Sequence, residues 1–293
     1  MKKLTVFFIM LCFWVALASF APETRKSENS RTYETPQATH PNNFFDPRYF
    51  NPKTLDEGET SVGRICGAVV PHHLLAHRLM AEVFARLQKN PPSLLVLLGP
   101  NHYNRGARIL TSSLGWQTPF GTVEVNDEII QQVLETKMVK VDDYAFAEEH
   151  SIGNLMPFVK YYLPHAKVVP IIYHYDVSKK EAALMAEYLS SLIEDDGVVI
   201  ASVDFSHYLT RHEAEEKDRE TLKIIEEGNL DTLFTMGNDH LDSPAALVTL
   251  FLAMKNLGIQ DFNLLDHTNS GIIMGNDMIE TTSYMTMLFQ KLD

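Results

Sequence analysis

Three apolar runs in this chain lead straight into histidine-bearing loops. Val69-Val70 runs into Pro71-His72-His73, Leu97-Leu98 into Gly99-Pro100-Asn101-His102-Tyr103, and Ser202-Val203 into Asp204-Phe205-Ser206-His207-Tyr208. A fourth histidine lies in Glu148-Glu149-His150-Ser151, just ahead of a stretch that Ser151 could cap as a helix. A lone loop histidine most often satisfies nearby carbonyls and amides. Several of them gathered from separate strand ends instead offer convergent imidazole nitrogens, the usual protein donors to Zn, Fe or Cu and the usual acid/base groups near neutral pH. Spacing alone leaves a metal site and an acid/base site both open.

The elements that must position these loops are legible as short apolar runs alternating with longer amphipathic ones. Strands are expected over 65–70, 94–98, 108–111, 167–173 and 198–203, several of them continuous Val, Ile and Leu runs suited to burial on both faces. Helices are expected over 74–88, 127–136, 152–162, 179–193, 212–226 and 245–256, with late runs at 261–265 and 282–289 as further edge strands. The pattern predicts a single α/β domain over residues 62–293, a doubly wound, mostly parallel sheet flanked by helices. In such sheets ligands collect beyond the carboxyl ends of the strands, where the histidine loops fall.

Composition narrows the classes. The 293 residues are 45% hydrophobic and 22% charged, with 38 acidic and 25 basic side chains and a formal net charge of −13. Residues 1–60 are electrically balanced, so the domain carries the whole excess. No nucleic-acid partner is expected, because tracking phosphates takes a basic surface. Cys12 and Cys66 are the only cysteines, too few for a disulfide framework or a four-thiolate metal site.

At the N-terminus Lys2 and Lys3 precede an uncharged apolar run over residues 4–20, flanked by small residues around Ala18 and Ala21. That pattern predicts a signal peptide or membrane anchor over 1–21, with the domain exported or tethered and extracytoplasmic. Residues 22–61 read as a low-order linker rich in Pro, Asn, Thr and Glu. Within it, Phe44-Phe45-Asp46-Pro47-Arg48-Tyr49-Phe50 holds more aromatics than a solvated tether needs and is expected to dock on the domain.

The ordered motifs resemble the Memo family, also called component B of the AmmeMemoRadiSam system. The pieces are Pro71-His72, Leu98-Gly99-Pro100-Asn101-His102, Thr118-Pro119-Phe120-Gly121, Glu149-His150-Ser151 with Leu155-Met156-Pro157-Phe158, Asp204-Phe205-Ser206-His207-Tyr208, and Asn269-Ser270-Gly271. Each piece is weak alone, and their order over residues 64–289 is specific. The resemblance implies a fold similar to the class III extradiol ring-cleaving dioxygenases, which bind non-haem iron in a crevice of an α/β domain. It also implies His72 and His102 as metal ligands, with Asp204 and His207 lining the same pocket as acid/base groups. One transition metal is expected, Fe(II) favoured, Zn or Cu possible. A radical SAM enzyme and an AMMECR-type domain are implied as companions, both normally cytoplasmic, which the export-like N-terminus argues against.

One position departs from the family pattern. Where Memo-like proteins carry a metal-binding cysteine followed by glycine, this chain has Asp242-Ser243. Asp242-Ser243-Pro244 is a good helix start, with a capping side chain and Pro in the first turn. Alternatively Asp242 supplies a carboxylate, giving a two-histidine, one-carboxylate donor set of the kind that suits iron. The two readings are compatible if Ser243 is the cap. Function is accordingly expected as a metal-binding, dioxygenase-like oxidoreductase. The alternatives are a non-catalytic binding or scaffold module holding a small molecule or peptide, and a Zn-dependent hydrolase.

Overall fold

Continuous β-branched and leucine runs leave no solvent face, so the strands they form must lie inside a sheet covered on both sides. The computed structural model, which describes residues 38–55, 63–193 and 196–291, builds them into its centre. In chain order the strands are β1 (Thr39–His40), β2 (Arg64–Val70), β3 (Leu94–Pro100), β4 (Ile109–Thr111), β5 (Gly115–Thr118) and β6 (Gly121–Val123). They continue with β7 (Val139–Val141), β8 (Lys167–Tyr173), β9 (Gly197–Ser202), β10 (Asn263–Asn269) and β11 (Ser283–Lys291). The helices are α1 (His77–Leu87), α2 (Asp127–Glu135), α3 (Asp143–Ala147), α4 (His150–Gly153) and α5 (Met156–Tyr162). After them come α6 (Lys179–Leu192), α7 (Arg211–Glu226), α8 (Leu230–Phe234), α9 (Pro244–Asn256) and α10 (Ser270–Met274).

The main sheet has eight strands in the order β10-β11-β2-β9-β3-β8-β4-β7. Its central four, β2, β9, β3 and β8, are mutually parallel, while β11, β10 and β4 are antiparallel to their inner neighbours. The expected mostly parallel α/β architecture is therefore present. Because the central four strands run the same way, the loops following Val70, Pro100, Tyr173 and Ser202 leave from one edge of the sheet.

Helix α9 is buried around almost its whole circumference and covers β2, β3 and β9, with α6 packed outside it. Gly67 in β2 permits that close approach: a Cβ there would lie 2.6 Å from Met254 Sδ and 2.9 Å from Leu250 Cδ1. Helix α1 packs on β2 and β11 together with α5. A smaller sheet joins β1 in parallel to β5, which turns antiparallel into β6.

Residues 38–55 of the expected linker lie against this body. His40 is buried, stacks on Trp116 at 4.5 Å and shares a 2.8 Å hydrogen bond with Ser112 Oγ. Phe50 packs among Phe45, Phe120, Phe158 and Tyr161, and the Phe44 ring fills the space beside Gly153 in α4. The aromatic segment thus braces the two helices that follow the Glu149-His150 loop.

The expectation of export or membrane tethering is corrected. Among the described residues no helix is long and apolar enough to cross a membrane. The segment 4–20 on which that expectation rested lies outside the described residues.

Candidate functional site

The loop after β2 is pinned at both ends of His72. Its N–H donates to Asp204 Oδ1 at 3.0 Å, and its carbonyl accepts from Asn154 Nδ2 at 2.8 Å. Ser202 Oγ donates its only proton to the Ser151 carbonyl at 2.6 Å, so it can only accept from His72 Nδ1, 3.2 Å away. That assigns the proton to Nδ1 and turns Nε2 into the pocket. There Nε2 meets Asp242 Oδ2 at 3.2 Å and Asp204 Oδ2 at 3.5 Å. Burial pushes this imidazole's pKa down, the two carboxylates pull it up by more, and it ends at about 9.

His102, on the loop after β3, is oriented in the same manner by a different group. The buried Glu149 carboxylate accepts from His102 Nδ1 at 2.7 Å, from the His102 N–H at 2.9 Å and from the Ser151 N–H at 2.9 Å. The last bond caps α4. Burial alone would raise the Glu149 pKa, but the bonds and charge of His102 bring it down to about 2. Nε2 of His102 then faces the pocket, 3.9 Å from Asp242 Oδ2.

The cap of the Asp242-Ser243-Pro244 segment falls on its second residue. Ser243 is the residue that caps α9, accepting from the Ala246 N–H at 3.3 Å, with Pro244 in the first turn. Asp242 lies one position earlier and is free to face the histidines. Two bonds to the Asp204 main chain hold it: its N–H donates to the Asp204 carbonyl at 3.1 Å, and its side-chain Oδ2 accepts the Asp204 N–H at 3.3 Å. Its other oxygen, Oδ1, is buried with no hydrogen-bond partner.

Among the described residues two overlapping sets of three donors could hold a metal ion: His72, His102 and His150, and His72, Asp204 and Asp242, each within 4.8 Å. Two imidazoles with their Nδ1 atoms engaged outward, and an Asp242 carboxylate whose Oδ2 faces them while its buried Oδ1 has no partner, fit a small transition metal, since a cation would complete the carboxylate. His150 was noted in the sequence but not expected as a donor. It stacks on His102 at 4.1 Å, and burial together with the neighbouring His102 and His72 drives its pKa down to about 4, so it is neutral at pH 7.

His207 borders the same cleft. Its N–H donates to the Asn238 carbonyl at 2.9 Å, while its Nδ1 is buried without a partner. The next residue, Tyr208, takes φ 60°, a left-handed conformation that a bulky residue adopts only when its surroundings force it. The His207–Asn238 bond on one side and the Leu209–Thr281 bridge on the other provide that force. Burial raises the carboxyl pKa of Asp204, and the facing His72, His207 and His73 lower it by more, so Asp204 is ionised. His73 Nδ1 is engaged by the Tyr284 hydroxyl at 2.6 Å, and His77 Nδ1 bonds the Leu74 carbonyl at 3.1 Å. A 3₁₀ turn over Leu74–Ala76 separates these two histidines, which do not converge as a metal pair.

The cleft these groups share encloses about 660 Å³ at the carboxyl ends of the central strands. Fold and site together define a doubly wound α/β protein with a mixed histidine and aspartate pocket whose side chains could hold a metal ion. The Memo-like protein family model matches residues 44–288, and the chain belongs to that family. A MEMO1 family protein of Aquifex aeolicus (strain VF5) is 28% identical over 261 residues, covering 82% of this chain and 96% of the relative. A MEMO1 family protein of Pyrobaculum aerophilum is 31% identical over 239 residues, covering 78% and 85% respectively. In fold the chain is similar to an uncharacterized protein from Escherichia coli K12 of known crystal structure, with TM-score 0.56 at 12% identity, covering 77% of this chain and 99% of that one.

Proposed function

We propose that this Memo-like protein holds one divalent transition metal between His72, His102 and Asp242 and acts on a small hydroxylated molecule as a dioxygenase-like oxidoreductase. The observation that carries the reading is the convergence of two imidazoles, each with its outward nitrogen engaged by Ser202 or Glu149, on Oδ2 of a buried aspartate whose other oxygen, Oδ1, has no partner. Two nitrogens and one carboxylate suit Fe(II) better than the thiolate-preferring ions, and an Asp at the family's cysteine position moves the site in that direction.

When bound, the metal supplies Lewis acidity and electron-transfer chemistry. The chain's own residues do the rest. Asp204 keeps His72 in register by accepting its N–H and offers negative charge beside His207. His207, with an unengaged ring nitrogen at the cleft wall, takes up or delivers the proton of a ligand hydroxyl. His150 stays neutral and walls the site against His102.

Metal analysis of the purified protein tests the first half: about one transition-metal ion per chain is expected, lost when His72 and His102 are both replaced by Ala. Unchanged metal content in that variant refutes the site. Oxygen uptake by Fe(II)-loaded protein with catechol-type compounds tests the second half. Tight zinc binding with no oxygen consumption would favour a hydrolase or a binding module over the oxidoreductase.

A further inference from the structure

The cleft has a one-sided charge inventory. Its ionisable lining consists of Asp204, Asp242 and histidines, and among the described lining residues there is neither a lysine nor an arginine. The basic side chains next along the chain from the lining are already engaged with carboxylates. Arg105 pairs with Glu148 at 2.6 Å, Arg108 with Glu181 at 3.1 Å and Asp176 at 3.6 Å, and Lys179 with Asp231. Lys217, across from Asn238, pairs with Glu220 at 3.2 Å and Asp239 at 3.5 Å. The remaining wall mixes neutral polar side chains, among them Asn101, Asn104 and Asn238, with apolar Val177, Phe234 and Leu241, and two largely exposed tyrosines, Tyr175 and Tyr208, stand at the mouth.

We infer that the cleft selects a ring-bearing hydroxylated ligand that carries no carboxylate, phosphate or sulfate of its own. The inference rests on the metal-holding reading above and adds the ligand's charge class. A divalent ion beside Asp242 and Asp204 brings the centre close to neutrality, so it has little positive charge left for a second anionic group. A ligand anion entering the cleft would give up water without gaining a guanidinium or ammonium partner, against the field of a chain of net charge −13. Natural sites for carboxylates and phosphates use Arg or Lys for this purpose. A neutral ring meets no such cost, and Tyr175, Tyr208 and Phe234 offer it apolar surface.

Calorimetric titration of the full-length protein, Fe(II)-loaded under argon, compares catechol and 4-methylcatechol with 3,4-dihydroxybenzoate, which differs by one carboxylate. The neutral diols are expected to bind at least tenfold more tightly. Thr235→Arg, an exposed position on the cleft wall, should shrink that ratio to threefold or less by supplying the missing cation. Equal or tighter binding of the carboxylated diol to the unsubstituted protein overturns the inference, as does binding of none of the three. Metal content measured on the same samples, with metal-free protein titrated in parallel, separates this from failure of the metal reading. Without the ion the cleft is more negative, so discrimination against the carboxylate must persist even if no metal is retained.

Discussion

Replacing Glu149 by Gln should weaken metal binding without removing any residue that faces the metal. The carboxylate accepts three N–H bonds, two from His102 and one from the start of α4, and is almost fully buried. An amide has one acceptor oxygen and turns an NH₂ group toward one of those donors. His102 then loses either its Nδ1 partner or its main-chain anchor, and its ring is no longer locked with Nε2 toward Asp242. Removing such an outer carboxylate typically costs 10–100-fold in metal affinity, or about 1.4–2.7 kcal/mol. The Glu149 pKa near 2, against an ordinary value of 4.5, also makes it a stability element. Its contribution, on the order of 3 kcal/mol at most, is fully present above pH 4.5 and lost as pH falls through 2. Competition with a chromophoric chelator at pH 7 reads the affinity, and urea unfolding of the metal-free proteins at pH 7 and pH 3.5 reads the stability. A Glu149→Gln protein that binds metal within twofold of the parent would refute the idea that this carboxylate orients His102 as a ligand.

Asp242 and Ser243 should separate cleanly. Asp242→Asn is expected to lower metal affinity at least tenfold with little change in thermal midpoint, whereas Ser243→Ala should keep its metal and lose about 1 kcal/mol of cap energy, a fall of roughly 2–4 °C; the reverse pattern would return the cap to Asp242. With a pKa of about 9 in the metal-free protein, His72 is protonated at pH 7 and must release its Nε2 proton to bind a metal. Calorimetry in buffers of different ionisation enthalpy should therefore register about one proton released per ion, and no release would mean His72 is not a ligand. Before metal is added, the raised His72 pKa stabilises the fold below its unfolded value near 6.5, and that stabilisation disappears as pH rises through 9. Gly115→Ala would drive a Cβ onto the Val123 carbonyl oxygen where β5 and β6 pair, a backbone clash that should cost about 1–3 kcal/mol in urea unfolding.

What could be read of the fold before the structure follows from burial. The strands at 94–100 and 167–173 have no polar face to blur them, so their runs stand out. β6 and β7 are three-residue strands with exposed positions, and nothing in Gly121–Val123 or Val139–Val141 separates them from loop. The single helix expected over 152–162 divides into α4 and α5, and the signal was present: Pro157 belongs in a first turn, where its missing N–H costs nothing, and not in a helix interior. The strand expected at 261–265 runs from Asn263 to Asn269 because an edge strand pairs on one side only and can be as polar as Asp266-His267-Thr268.

The site divides along a different line. His72, His102 and His207 were readable because each follows a strand whose end is fixed by the apolar run before it. Glu149 and Ser202 were not, because their roles are tertiary. Glu149 reaches His102 across 47 residues, and Ser202 reaches His72 across 130. His150 shows the cost of reading by strand ends alone: it begins a helix and so falls outside the rule, yet its ring lies against His102. Asp242 needed the structure for the opposite reason, since its local sequence supported two roles equally. The choice turned on which neighbouring side chain bonds the Ala246 N–H, and Ser243 does so. With the cap supplied by Ser243, Asp242 is left with Oδ2 beside two imidazole nitrogens and with Oδ1 buried and bonded to nothing. In the metal-free protein the protonated His72 balances the buried charge through Oδ2, and Oδ1 is the oxygen left for a metal to complete. Asp242→Asn removes the carboxylate and leaves both imidazoles in place, which makes its metal content the measurement on which the proposed site depends.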